Sequence, residues 1–339
     1  MITPKAFRQI IKHFDEVDKI VSARTMRKRP WLEVALTSLL CDLLDEQTQD
    51  DEKLDYTFKQ LQEDLSKDDS LFGIHLSLET IEFNSIYERY ISQSDIGLNL
   101  IFENKIEPQY SWSRPYLLQA KRLSPKQVNP ILYTEASNFT SVDKEQQQRI
   151  DLLNEIFGAS YLKYLLFCPR PDDIDTDTKI KLAYLRNKRL STHIFDYTVG
   201  LEIHKEFLNS SETLKAGIFI TDTNNGNLNL GQVHGGILQQ TFPFSWFIAM
   251  SYVNDKNSLH ERDMIEKEKN HHPKSESQIL VEGILSGDKK QIEKLIEKIK
   301  EVRNDNFPDN IQILPKHKIT LRCSVGEKIN ADRRNIKNE

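Results

Sequence analysis

Between residues 95 and 123 the chain carries two apolar runs joined by one polar connection that contains Pro and aromatic residues. The first run reads Asp95-Ile96-Gly97-Leu98-Asn99-Leu100-Ile101-Phe102, and the second ends in Gln119-Ala120-Lys121-Arg122. Both have strand length and β-branched or large apolar content, so the stretch reads as a hairpin. Residues two apart on a strand share a face. Gln119 and Lys121 therefore project together, and strand pairing brings Asp95 to the same point. An acid, an amide oxygen and an ammonium on one sheet face can hold a divalent cation and set a water against a phosphodiester.

The flanking sequence alternates between two periods. Phe7, Ile10, Ile11, Phe14, Val17 and Ile20 recur at helical spacing and predict a helix over 3–20. Pro30 stands at a helix start, and Trp31 to Leu44 reads as a second, more apolar helix. Leu54, Phe58, Leu61 and Leu65 give the charged stretch 46–70 one apolar stripe, which predicts a third. Residues 74–84 alternate as a strand, 143–160 read as a helix with Ile150, Leu153, Ile156 and Phe157 inward, and 161–167 as a short buried strand. The order is helix, three strands, helix, strand.

Beyond Pro171 the pattern predicts an acidic loop, a helix over 192–209, a strand in Leu214–Thr223 and an apolar core segment over 235–250. A charged linker, a helix over 288–303 and a last strand, His317–Val325, follow. The expected organisation is an α/β domain over 1–250, its core at about 30–170, and a small C-terminal helix–strand element over 275–330.

The chain has 339 residues, 38% of them hydrophobic and 29% charged, with a formal net charge of −5. No apolar run approaches the roughly 18–20 residues that span a bilayer, which predicts a cytoplasmic protein with no membrane partner. Three well-separated cysteines, Cys41, Cys168 and Cys323, fit a reducing compartment and lack zinc-site spacing. The acidic balance confines any nucleic-acid contact to local patches. Three basic clusters qualify: Arg24, Arg27, Lys28 and Arg29; Lys121 and Arg122; and Arg186, Lys188 and Arg189. Such clusters are commonly solvated faces. No phosphate-binding G-x-x-x-x-G-K-[ST] loop is present, so no ATPase is expected.

Asp95, followed by a hairpin and Gln119-Ala120-Lys121, resembles the active site of the PD-(D/E)XK nuclease superfamily, in the variant with Gln in place of the second carboxylate. The QAKRL ending is similar to Mrr-type domains. The resemblance covers roughly residues 30–170, and the helix–strand order above matches that superfamily's αβββαβ core. It implies a restriction-endonuclease-like fold with a mixed central sheet flanked by helices, plus added helical and α+β elements. It also implies Mg²⁺- or Mn²⁺-dependent phosphodiester hydrolysis, with DNA favoured over RNA, in a setting such as restriction or antiphage defence. Asp95 and Gln119 would be metal ligands and Lys121 would hold or polarise water. The family's helical Glu maps best onto Glu33, the only acid in Pro30–Leu40, with Glu82 and Glu88 as runners-up. Arg122 is placed for a phosphate contact. Gln148, in competition with Gln146 and Gln147, occupies the position of a Gln that packs near metal or substrate. A partner protein or an oligomer is expected to control activation. The alternative is a nuclease-like module that binds nucleic acid, or serves as an adaptor subunit, without cutting.

Two rival constellations carry less. His260, His271 and His272 with Glu261 and Asp263 lack zinc-protease spacing. Asp172, Asp173, Asp175 and Asp177 lack the Gly and terminal Glu of a calcium loop.

Overall fold

Residues 95–122 form the expected hairpin in the computed structural model, which describes residues 2–49, 53–67, 73–82, 94–140, 144–158, 161–191, 197–209, 213–225, 228–253, 274–303 and 315–326. Along the chain the elements are α1 (Pro4–Ala23), α2 (Glu33–Leu43), α3 (Phe58–Ser66), β1 (Ile74–Glu82), β2 (Ile96–Asn104) and β3 (Trp112–Arg122). Two short strands follow, β4 (Gln127–Val128) and β5 (Ile131–Leu132), then α4 (Lys144–Phe157), β6 (Leu162–Phe167), α5 (Thr176–Leu190) and α6 (Tyr197–Asn209). The chain continues with β7 (Ile218–Asp222), α7 (Leu230–Gly235), β8 (Thr241–Pro243), α8 (Phe244–Ser251), α9 (Glu276–Ser286), α10 (Lys289–Arg303) and β9 (His317–Val325).

The protein is α/β, with a mixed seven-stranded sheet in the order β1-β9-β2-β3-β6-β7-β8 flanked by helices. β2 and β3 pair antiparallel with Ile96 opposite Leu118, and β3 runs parallel to β6. The elements of the αβββαβ reading follow one another along the chain, but β1 does not touch β2. β9 lies between them, antiparallel to β1 and parallel to β2. The C-terminal helix–strand element thus contributes a central strand of the one sheet. Its alternation is visible in the sequence; its partners are not, because pairing register is a non-local property.

Opposite residues in neighbouring strands share a face. Leu76, Leu78, Ile319, Leu321, Leu98, Leu100, Tyr116 and Leu118 form one buried face, over which α8 sets Phe247 edge-on to Tyr116. α9 packs against β2 and β3. It approaches so closely that a Cβ on Gly97 would lie 2.1 Å from Leu285 Cδ2.

α1 begins at Thr3, whose hydroxyl accepts from the Ala6 N–H, with Pro4 in the first turn. Its buried face also carries Asp15 and Asp18. Arg170 Nη1 donates to Asp15 Oδ1 (2.9 Å) and Asp18 Oδ1 (3.2 Å), and Asp18 in turn accepts from the N–H groups of Gly217 and Ile218. This sealed network ties α1 to the entry of β7.

Three expectations are corrected. The helix over 46–70 shortens to α3, because Thr57 and Gln60 form a capping box that fixes its start. Upstream, Glu46 Oε1 accepts from Leu78 N–H and Asp45 Oδ2 from Thr80 N–H along the outer edge of β1. The acidic loop after Pro171 runs directly into a helix, α5, capped by Asp175. A further helix, α9, occupies apolar residues between the charged linker and α10. Residues 83–84, 192–196, Glu88 and the 260–272 histidine cluster lie outside the described residues.

Candidate active site

β2 begins at Ile96, whereas β3 continues to Arg122. The N–H groups of Ala120 and Arg122 therefore point past the start of β2 with no strand to receive them. Two carboxylates take their place. Asp95 Oδ2 accepts from Ala120 N–H at 2.8 Å, and Glu33 Oε1 accepts from Arg122 N–H at 3.0 Å. The acids come from different elements, the turn before β2 and the first turn of α2. They cap successive outward N–H groups, spaced by two strand rises or roughly 6.5 Å, and Lys121 lies between them in sequence. Thr140 Oγ1 also donates to Glu33 Oε1 and fixes that carboxylate.

Gln119 and Lys121 share the face of β3 that strand alternation predicts, and both are buried, with 7% and 5% of their surface exposed. Gln119 Nε2 donates to Asp95 Oδ2 at 2.7 Å. An amide facing a carboxylate must present its N–H₂ end, since two oxygens at that distance repel. A half-turn of the amide brings Oε1 to the same place. Asp95 is half-buried and further held by backbone bonds, from its own N–H to Leu118 O (2.9 Å) and from His317 N–H to its carbonyl (3.1 Å). The sequence-predicted Asp95, Gln119, Lys121 and Glu33 thus gather around the last four residues of β3.

The donor set is oxygen only: two carboxylates and an amide that can rotate. That chemistry suits a hard cation, which takes one or two carboxylates and keeps most of its waters. Among the described residues no three His, Cys, Asp or Glu side chains converge. Any cation held here would be largely hydrated.

Other expected site residues fall elsewhere. Arg122 is turned toward the start of α2. Alternation turns its side chain away from Lys121, and its guanidinium donates to the carbonyls of Pro30 (3.4 Å) and Trp31 (3.3 Å). Gln148 projects to solvent from α4, and Gln147 Nε2 is spent on Asp151. Arg186 is no surface base. It is buried on α5 with Nη1 against His234 Nδ1 at 3.1 Å, and burial lowers its pKa to about 10. Lys188 and Arg189 stand in the last turn of α5, where cations offset the helix dipole. The acidic residues after Pro171 are structural: Asp175 caps α5, and Asp172 pairs with Lys179 and Lys215.

Sequence reasoning missed Thr140 and the approach of β9. With Ile96 opposite His317, Lys316 stands beside Asp95. The buried Cys41 thiol lies within electrostatic range of Asp42, Lys316, Glu82 and Asp95. Burial pushes that thiol well above its ordinary pKa, as it does Cys168 and Cys323, so no cysteine is poised as a nucleophile. No signal in a single sequence joins residues 95 and 316.

Comparison with protein-family models, with curated proteins and with solved structures returns no match, so the functional reading rests on this geometry. No helix among the described residues is long and apolar enough to cross a membrane.

Proposed function

We propose that the chain is a metal-dependent nuclease of the PD-(D/E)XK type, hydrolysing phosphodiester bonds with DNA favoured over RNA. One observation carries the reading: carboxylates from separate elements, Glu33 and Asp95, cap the N–H groups on either side of Lys121, whose ammonium-bearing side chain is buried beside Gln119. A bound Mg²⁺ or Mn²⁺ would polarise a phosphoryl oxygen and lower the pKa of a coordinated water. Asp95 and Gln119 would hold it, with Glu33 on the adjacent N–H. Lys121 would orient the attacking water and offset the negative charge that grows in the transition state. Its fixed position on a strand means that no reorganisation accompanies that step. Thr140 and the Arg122 backbone keep Glu33 in place.

The second reading is a nuclease-like module that grips nucleic acid without cutting. The engagement of Asp95 Oδ2 by Gln119, and the absence of a third converging ligand among the described residues, favour it. Incubation of the protein with plasmid, linear duplex and RNA in Mg²⁺ or Mn²⁺, with and without chelator, separates the two. The nuclease reading expects chelator-sensitive nicking or degradation. Binding without cleavage under every divalent condition would hand the site to the second reading.

A further inference from the structure

The basic segment that follows α1 is tied to the candidate site by hydrogen bonds to Tyr133 and to Arg122. Tyr133, directly after β5, donates from Oη to Thr25 O at 3.0 Å. Arg122 Nη1 reaches Pro30 O and Trp31 O, Trp31 N–H reaches Arg24 O at 3.4 Å, and Glu33 then caps Arg122 itself. The segment Arg24–Glu33 is therefore laid along the end of β3.

Its exposed chemistry is unusual for this acidic chain. Arg27, Lys28 and Arg29 are consecutive and exposed, and none forms an ion pair with a described carboxylate. Arg24 and Arg27 lie over the Trp31 ring, 5.4 and 5.2 Å from its centroid, which stiffens the cluster. Leu32 and Val34 are 69% and 58% exposed on the same turn. They place exposed apolar surface directly beside the cations. Nucleic acid presents both a phosphate backbone for the cations and sugar or base surface for the apolar groups. In the cluster at 186–189, by contrast, Arg186 is buried in the α5–α7 packing.

We infer that Arg27, Lys28 and Arg29 form the phosphate-docking rim of the candidate site, receiving the backbone of nucleic acid and leading it past Glu33 to Lys121. The inference rests on the nucleic-acid reading of that site but not on cleavage. Each cation that neutralises a phosphate releases about 0.9 counterion from duplex DNA.

The test is fluorescence anisotropy with a labelled 20-base-pair duplex in Ca²⁺, between 50 and 200 mM KCl. The variants are Arg27→Ala/Lys28→Ala/Arg29→Ala and a charge-matched control, Lys289→Ala/Lys290→Ala/Lys300→Ala, on exposed positions of α10. The rim variant is expected to lose affinity on the order of 10–100-fold at 150 mM salt, with the log–log salt slope smaller by about two to three. The control keeps the wild-type curve, and thermal melts confirm that both variants fold. Equal curves for the rim variant and the control would overturn the inference. So would failure of the wild type to bind duplex at 50 mM KCl, or capture by anionic phosphatidylserine vesicles in place of duplex, which would make the rim a membrane contact. Failure of the nuclease reading looks different: the rim variant loses binding, yet no protein cleaves in Mg²⁺ or Mn²⁺.

Discussion

The outer edge of β1 and the end of β3 are built with the same device. On β1, Glu46 and Asp45 cap the N–H groups of Leu78 and Thr80, both at 3.1 Å. On β3, Asp95 and Glu33 cap those of Ala120 and Arg122, at 2.8 and 3.0 Å. In each case two carboxylates receive alternate N–H groups that would otherwise lie open. Capping by itself is edge protection, a way to satisfy and blunt an unpaired strand. The difference lies in what sits between the caps. On β1 it is Glu79, exposed and of the same sign; on β3 it is Lys121, buried, with Gln119 beside it. The β1 acids come from one short segment, whereas those on β3 come from α2 and the turn before β2. A third cap, Asp18 on Gly217 and Ile218, is sealed by Arg170 and offers no approach. Among the described residues the two-carboxylate cap thus appears at β1 and at β3, and only at β3 is it surrounded by groups that can do chemistry.

The sharpest break between the two edges is the residue they enclose. Lys121→Ala is expected to lower single-turnover cleavage by about 10²–10³-fold, the order seen for loss of one electrostatic stabiliser. Duplex affinity in Ca²⁺ should fall much less, since one phosphate contact is a small part of the total. Glu79→Ala should change neither. Equal losses of binding and cleavage in Lys121→Ala would make the residue a docking contact.

The sealed cap predicts a pH signature of its own. Burial, partly opposed by Arg170, raises the Asp18 carboxyl from 3.8 to about 6. The folded state then holds that proton more tightly than the unfolded chain. The resulting stability is fully present below about pH 4 and is lost as pH rises through about 6, on the order of 3 kcal/mol in all. His13 works the other way. Burial lowers it from 6.5 to about 4, so its stability is present above 6.5 and lost as pH falls through 4. Asp18→Asn removes the first slope and leaves the second, so urea midpoints should drop more steeply from pH 7 to 4.5 than in the wild type. Parallel pH profiles would show that Asp18 does not carry the proton.

Asp45→Ala/Glu46→Ala should cost about 1–3 kcal/mol by leaving two N–H groups without their partners, with cleavage unchanged per folded molecule. Loss of cleavage there would mean that the two edges are not functionally distinct. The smallest effect concerns the amide. Gln119→Glu should melt lower than the wild type without metal, because two carboxylates then face each other, and should gain more from Mn²⁺. Gln119→Leu should show no Mn²⁺-linked rise in Tm. Equal Mn²⁺ shifts in both variants would remove Gln119 as a ligand.

Much of this was legible in the sequence wherever the cause is local. The β2–β3 hairpin, α1 and β9 follow from alternation or helical spacing in their own residues, and the Gln119–Lys121 side follows from strand geometry alone. What was not legible depends on partners. β9 sits between β1 and β2 because both present apolar faces of matching register, a relation spread over the whole chain. Glu46 reads as helix surface and Asp45 as a link between helices, because nothing nearby reveals the β1 edge they cap. Arg186 reads as a surface base because burial beside His234 is set by the packing of α5 on α7. Glu33 was found through its isolation among apolar residues, while Thr140, which holds it, carries no comparable mark.

The most direct measurement is single-turnover cleavage of duplex in Mn²⁺ by Asp95→Asn beside Asp45→Asn. Asn keeps an oxygen that accepts the strand N–H at either edge, so both proteins should melt within a few degrees of the wild type, and only the negative charge is removed. The account predicts loss of at least about 10³-fold in Asp95→Asn, comparable with or larger than removal of one stabilising donor, and full activity in Asp45→Asn. Wild-type cleavage in Asp95→Asn, or equal losses in the two, would show that both carboxylates are edge caps and nothing more.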